Sequence, residues 1–226
     1  MKGNFSNSGT FTSTGSTFTF NGSSQQTLSG SGLSFNAVTL SNSAGMLLSS
    51  ADLTVGGTLT FTSGNITTGA NKVIASGGVS RTSGFVNGNL QKPFAIATSS
   101  PTFEIGTGTT YAPISLASLV VTVAGNLTAA STEGLHSSFG TSGISGTKYV
   151  NRYWTLTAGG GLTATSFTGT FTFVAGDLVG GPNTAALIVR RFVSPSTWTA
   201  GTSPSSTVTT VTGGFTTSFG DFAAGE

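Results

Sequence analysis

The sequence predicts an all-β protein in two parts, a short parallel β-solenoid over residues 1–95 and an antiparallel β-sandwich over residues 96–226. Three observations predict it. In the first part apolar residues return every 20 positions: Leu33, Leu53 and Val73 form one series, and Phe35, Val55 and Ala75 another. From about Pro101 that repeat gives way to longer alternation, with Val150, Arg152, Trp154 and Leu156 on one strand face and Tyr149, Asn151 and Tyr153 on the other. The composition also suits strands and tight turns, with 17 Phe and 34 Gly but only 6% charged residues.

A further series, Phe20, Leu40 and Phe61, steps by 20 and then 21, and Leu28 and Leu48 add a pair. Apolar residues at a fixed interval stack on one another if each interval is one lap of a coil. The triplets Phe18-Thr19-Phe20, Val38-Thr39-Leu40 and Leu59-Thr60-Phe61 align, as do Leu33-Ser34-Phe35, Leu53-Thr54-Val55 and Val73-Ile74-Ala75. Alternate side chains of a strand face opposite sides, so the flanking residues point inward and the middle ones outward. Turn signals separate the sets: Asn21-Gly22, Gly56-Gly57, Gly64-Asn65, Gly77-Gly78 and Asn87-Gly88. Three to five laps are expected before the repeat decays near Lys92-Pro93. A meander of hairpins would also place turns at intervals, but it does not by itself require matching apolar columns. Asp52 and Lys72 lie one lap apart. Stacked laps are about 4.8 Å apart, so the two are expected to form a surface ion pair contributing ~0 to 1 kcal/mol.

In the second part the strand candidates are Thr102 to Ile105, Ile114 to Val123, Tyr149 to Leu156, Phe167 to Val174, Ala186 to Val193, Thr207 to Val211 and Phe215 to Phe222. Such a series, punctuated by Gly, Pro and Asn, suits an immunoglobulin-like sandwich. Ser194-Pro195 and Ser203-Pro204 mark loops flanking Trp198, and residues 124–136 are too irregular to assign.

Composition bounds the function. Eight Lys and Arg against six acids leave a net charge of +2 spread along the chain, which is no footprint for a phosphate backbone, so no nucleic-acid partner is expected. The absence of Cys removes thiolate metal sites, thiol nucleophiles and disulfides. No stretch approaches the ~18 to 20 apolar residues of a membrane helix, and membrane insertion is not expected. Met1-Lys2-Gly3-Asn4 leads straight into strand-like sequence without an apolar signal segment, so the chain reads as a mature form or an excised piece.

The runs FNGSSQQTLSGSGLSFNAVTLSNSAG (20–45) and LTVGGTLTFTSGNITTGANKVIASGG (53–78) resemble the Gly/Ser/Thr/Asn-rich repeats of large secreted bacterial surface proteins, many of them adhesin-like and exported by the type IX system. VNRYWTL (150–156), ALIVRRF (186–192) and SFGDFAAGE (218–226) are similar to the β-sandwich module that often follows such repeats. The resemblance implies export, attachment at the cell surface and no catalysis. Proteins of this kind usually continue to a C-terminal sorting domain, and nothing follows Glu226 here.

Candidates for chemistry are few. His136 is the only histidine and reads as an exposed loop residue; a Ser-His-Asp arrangement around it would have to draw on distant segments. The acids are Asp52, Glu104, Glu133, Asp177, Asp221 and Glu226. Glycosidases need two carboxylates about 5 to 9.5 Å apart across a cleft, and the solenoid offers Asp52 alone. No metal or other cofactor is expected, and Gly159-Gly160-Gly161 lacks the lysine and helix of a phosphate loop. Asp177 and Asp221 read as turn and loop acids.

Arg152 and Arg190 sit on otherwise apolar strand faces, where a cation must find a carboxylate, a carbonyl or a ring. They are expected to act structurally, through Glu104, Asp177 or Asp221 or by stacking on Trp154. Trp154, Trp198, Tyr149 and Tyr153 are candidates for a glycan-binding platform. Thr19, Thr39 and Thr60, flanked by Thr17 and Thr58, are candidates for an outward threonine ladder, which resembles the arrays of several β-helical ice-binding proteins.

The sequence therefore favours a non-enzymatic structural or adhesive module, extracellular or at a bacterial cell surface. An open solenoid end exposes unpaired backbone groups and apolar edges, so a homo-oligomer or filament is the expected partner state. The competing expectation is a module that binds glycan or ice.

Overall fold

Parallel coiling requires each lap to place its strands over those of the lap before, and the spacing of apolar residues sets that register. In the computed structural model, which describes residues 1–9, 11–216 and 219–226, the chain is all-β and begins with a solenoid of about five turns. It divides into two compact units, Met1–Pro93 with Glu104–Tyr111 and Phe94–Phe103 with Ala112–Glu226. Among the described residues no helix is long and apolar enough to cross a membrane.

In the first unit Leu33 pairs in parallel with Leu53, Leu53 with Val73, and Val73 with Leu90. Phe35, Val55 and Ala75 stack beside them. A second wall carries Phe20, Leu40, Phe61 and Arg81 in register. The longest column is Gln26, Met46, Ile66, Val86 and Ile105, five successive laps of one face. All of these apolar residues are buried. Most laps are 20 residues, but Phe5 to Leu28 spans 23, Val38 to Leu59 spans 21 and Val86 to Ile105 spans 19, and beyond a bulge between Asn87 and Asn89 the step from Val73 to Leu90 is only 17.

The corners explain why Gly and Asn recur there. Gly64 has φ +82°, and a Cβ added to it would lie 1.8 Å from the Asn42 carbonyl oxygen; one lap on, Gly84 at φ +98° would meet the Gly64 carbonyl at 2.0 Å. Laps this close exclude a side chain, and the left-handed backbone favours glycine independently. Side chains bridge the remaining corners across one lap of 20 residues. Asn65 Oδ1 accepts from the Phe85 N–H at 3.1 Å, and Ser50 Oγ accepts from the Gly30 N–H at 2.8 Å. Asn36 Nδ2 donates to the Ser16 carbonyl at 3.2 Å.

Two differences from the sequence expectation concern the boundary. Solenoid pairing continues past Lys92-Pro93, because Ile105 extends the column of Ile66 and Val86. The expected strand Thr102 to Ile105 is therefore two strands: Thr102–Phe103 belongs to the second unit, where Phe103 packs on Phe94, and Ile105–Thr107 belongs to the first. Glu104, also in the first unit, is held by Lys92 at 2.9 Å in an ion pair whose side chains are only 14% and 12% exposed.

The second unit has two antiparallel sheets. In one, Gly125–Glu133, Tyr149–Gly159, Gly220–Gly225, Ile188–Val193 and Thr197–Ala200 lie side by side. In the other the order is Thr98–Ser99, Ile114–Val123, Thr163–Thr172, Thr210–Thr216 and Thr202–Ser206, with Thr102–Phe103 also on Ile114–Val123. Rings from both sheets meet: Trp154 lies 5.4 Å from Phe171, Phe171 lies 4.6 Å from Phe222, and Phe215 lies 5.0 Å from Phe222. Gly125–Glu133 is a regular strand within the stretch left unassigned above, and Ser203-Pro204 lies in an edge strand instead of a loop. The expected strand Phe215 to Phe222 is represented by Thr210–Thr216 and Gly220–Gly225; its residues 217 and 218 lie outside the described residues.

Candidate functional site

The threonine ladder falls on the outer side of the second solenoid wall. Thr19 pairs with Thr39, Thr39 with Thr60, and Thr60 with Ser80, so the column has one hydroxyl on each of four laps. Thr17 pairs with Ala37, and Thr58, whose carbonyl accepts from the Val38 N–H, lies just before the next strand. The flanking rank is thus broken at Ala37. Asp52 and Lys72 form the ion pair of adjacent laps at 3.7 Å, and Asp52 Oδ1 also accepts from the Lys72 N–H at 2.9 Å.

The first lap differs from those beneath it. Phe5–Asn7 pairs with Leu28–Gly30 and Thr17–Phe20 with Ala37–Ser41, each as the outermost strand of its sheet. Phe5, Phe11 and Phe18 are half-buried and touch edge to face, with ring centres 5.2 to 5.9 Å apart. All three rest on Phe35, which is buried. The polar groups here are largely satisfied from within: the buried Gln26 side chain donates to Gly3 O at 2.6 Å and accepts from the Gly22 and Asn42 N–H groups. Met1 covers part of this edge, its amine donating to Thr19 O and its carbonyl accepting from the Asn21 N–H, so ring surface and the rest of the outer strand edges are what this end presents.

The far end of the solenoid is different again. Ile105–Thr107 is folded back on itself by antiparallel pairing with Thr110–Tyr111. The Arg81 guanidinium lies 3.6 Å from the centre of the Tyr111 ring, and Arg81 Nε donates to Gly84 O at 2.6 Å. Burial pushes the Tyr111 phenol above its ordinary value; Arg81 opposes that shift and Glu104 adds to it.

In the second unit the proposed platform residues separate. Trp154 is fully buried between the sheets and donates to Ala112 O at 3.3 Å, so it belongs to the core and cannot present a ring to a ligand. Strand alternation puts it on the opposite face from Tyr149 and Tyr153. Those two and Trp198 do converge, but on the segment of residues 134–148 that covers them. Trp198 and Tyr153 each meet the His136 ring edge to face at 5.4 Å, Phe192 lies 4.7 Å from it, and Tyr149 packs on Phe139. The Trp198 indole N–H donates to Ser138 O at 3.1 Å.

His136 is therefore buried and not an exposed loop residue. Its Nδ1 accepts from the Ser138 N–H at 3.1 Å, which leaves the proton on Nε2, 3.2 Å from Asp221 Oδ2. Asp221 Oδ1 accepts in turn from Thr155 Oγ1 at 2.6 Å. With both ring nitrogens engaged, the imidazole holds the covering segment in place and has no free nitrogen to serve as a base. Asp221 is the anchor of this arrangement and more than a loop cap. His136 and Asp221 lie 85 positions apart, and no local pattern joins them in sequence reading.

Arg152 is 1% exposed and binds Asp177 through two parallel hydrogen bonds, Nε to Oδ2 at 2.9 Å and Nη2 to Oδ1 at 3.1 Å. Of the partners open to it in sequence, Asp177 is the one used, and Asp177 also accepts from the Val174 N–H at 3.0 Å. Arg190 is half-buried, with its guanidinium beside the position a side chain at Gly143 would take. The more deeply buried cation of that strand is its neighbour Arg191, which was not singled out. It donates to Thr216 O at 3.0 Å, and burial lowers its pKa from the ordinary arginine value. Apolar alternation marks both arginines as misfits but does not say which one faces inward.

Four of the six acids are thus held in ion pairs, Asp52 by Lys72, Glu104 by Lys92, Asp177 by Arg152 and Glu226 by Lys148, and a fifth, Asp221, accepts from His136 Nε2. Among the described residues no group of three or more His, Cys, Asp or Glu could hold a metal ion. Compared with known proteins, the chain matches no family model, no curated protein and no solved structure.

Proposed function

We propose that the chain is a non-enzymatic structural or adhesive module of a secreted or cell-surface bacterial protein, which associates with itself end to end through the first lap of its solenoid. One observation carries this reading: Phe5–Asn7 and Thr17–Phe20 are outermost strands whose lap ends in three half-buried phenylalanine rings. Partly open strand edges and half-buried rings at the end of a stack favour further association. Charge does little to oppose it, since Lys2 is the only charged side chain before Asp52. The extracellular, bacterial setting rests on the resemblance of the repeats given above. The finer assignment of the second unit as an immunoglobulin-like sandwich belongs to the same reading and is supported by the buried Trp154 between two antiparallel sheets. Sedimentation of the purified chain across a concentration series tests the association. Mass that rises with concentration is expected, and a constant monomer mass would overturn the proposal.

The second reading, a ligand-binding module for ice or glycan, draws on the column Thr19, Thr39, Thr60 and Ser80. A flat row of hydroxyl and methyl groups at the lap spacing is a surface that ordered water can match. Thermal hysteresis that disappears in Thr39→Tyr would favour this reading for ice. The glycan version is weakened by Trp154, which is buried, and by the cover over Trp198, Tyr149 and Tyr153.

A further inference from the structure

We infer that Arg190 and Trp198 form a subsite for an acidic sugar, the indole carrying the pyranose ring and the guanidinium receiving its carboxylate. This rests on the adhesive reading above and names the class of ligand such a module would grip.

Arg190 is a half-buried cation that its own chain does not satisfy. Its Nε is shut off from solvent and has no hydrogen-bond partner among the described residues. Lys72, Lys92, Lys148 and Arg152 are each held by a carboxylate, and Arg81 and Arg191 donate to carbonyls. The remaining acid, Glu133, ends the strand Gly125–Glu133, three places away from Ile188–Val193 in the sheet. A buried guanidinium N–H without an acceptor is costly, so the site calls for an oxyanion from outside the chain.

Small residues leave room for one. Arg190 lies opposite Ala200 on one side and Ala223 on the other, and Ala200 is exposed on the outermost strand Thr197–Ala200. Gly143, at φ +74°, lies against the guanidinium: a Cβ added there would be 3.5 Å from Nη2, 3.6 Å from Cζ and 3.9 Å from Nη1. The guanidinium is thus broadside to the glycine, and its rim of N–H groups runs along the sheet.

Trp198 lies on the same strand face, opposite Phe192, so it and Arg190 are diagonal neighbours. Such neighbours are about 7–8 Å apart, within reach of long side chains. The covering segment leaves part of Trp198 at the surface. The indole is held in one orientation by its bond to Ser138 O and by the rings of His136 and Phe192. One face of a pyranose is lined with C–H groups that pack on an indole, and a uronate carries its carboxylate on the rim, beside the ring oxygen. With the ring on Trp198, that carboxylate reaches Arg190, whose fork matches two oxygens through parallel hydrogen bonds. Asp221 faces Phe192 in the adjacent row, and its negative charge disfavours a phosphate dianion at the same place.

Trigalacturonate and neutral galactotriose, titrated against the purified chain, test the assignment. The readouts are the Arg190 Nε–H resonance and the emission of Trp198; Trp154, in the core, should not respond. Trigalacturonate should move both saturably, and the neutral sugar should bind at least about tenfold more weakly. Arg190→Gln should lose at least about tenfold in trigalacturonate affinity with its sedimentation unchanged, and Arg190→Lys, which keeps the charge but not the fork, should fall between. Equal binding of the two sugars, or undiminished binding by Arg190→Gln, would overturn the subsite. Acetate that binds as tightly as trigalacturonate would overturn the role of Trp198. No response to trigalacturonate from a chain that still self-associates would refute this subsite alone. A chain that binds trigalacturonate through Arg190 but stays monomeric would refute the end-to-end association and support the subsite.

Discussion

In the solenoid Leu53 touches Leu33 on one side and Val73 on the other, partners a single lap away. In the two-sheet unit Trp154 meets Phe171 and Ala112, Arg152 meets Asp177, and His136 meets Asp221 from 85 residues along the chain. The first unit repeats one local solution, so each lap needs only its neighbours. The second assembles a single core from segments that are close in space and distant in sequence. Loss of one contact should therefore act locally in the solenoid and cooperatively in the two-sheet unit.

The largest effect is expected at Asp177→Ala. It leaves the Arg152 guanidinium buried without its carboxylate, at a cost of about 3–5 kcal/mol. Denaturant unfolding followed by Trp154 and Trp198 fluorescence should show an earlier transition of the two-sheet unit. The joint change Arg152→Met with Asp177→Leu should restore most of that loss, because the burial penalty of the charges disappears with them.

Leu53→Ala removes a fully buried side chain from the middle of its column, and a cost of about 2–5 kcal/mol is expected. Hydrogen exchange should locate the damage on the laps holding Leu33 and Val73 and leave the exchange of Tyr149–Gly159 unchanged. Damage spread equally over both units would break the contrast drawn between them.

These two positions differ just as much in how far the sequence announces them. Leu33, Leu53 and Val73 are evident because the structure repeats at the same period as the chain, and Asp52 and Lys72 follow from the same arithmetic. The continuation through Ile105 escapes that arithmetic, because the chain leaves for Phe94–Phe103 before it returns to the next lap. Alternation around Trp154 and Arg152 identifies an inward face but not the partner opposite it. His136 has no periodic neighbour at all; its burial depends on Phe192, Trp198 and Asp221 arriving from later strands. Arg190 and Arg191 are adjacent, and only the strand's orientation selects the second for the interior.

His136→Ala should cost less, about 1–3 kcal/mol, since it strands the Asp221 carboxylate oxygen and the Ser138 N–H at a partly buried site. Its clearer readout is Trp198, whose emission should shift toward that of a water-exposed indole as the segment of residues 134–148 loosens. No shift would mean that Trp198 and Phe139 hold the cover without the imidazole.

The smallest effect concerns acid. The Glu226 carboxyl is held below its ordinary value of 4.5, chiefly by the Asn183 backbone N–H and further by Lys148. Because the folded value is the lower one, the contribution to stability is complete above the ordinary value and is lost as the pH falls through the lowered folded value. The Asn183 amide resonance should titrate below pH 4.5 with little change in melting temperature, since the carboxyl is partly exposed at the surface and solvent screens its contacts. A titration centred above that value would reverse the sign.

The open first lap is the feature on which the functional account depends, and hydrogen exchange at two protein concentrations measures it directly. Outward-pointing amides of Phe5–Asn7 and Thr17–Phe20 should exchange rapidly in dilute solution and become protected as concentration rises, while Ala37–Ser41 stays protected throughout. Exchange at Thr17–Phe20 that is the same at every concentration would contradict association through that edge.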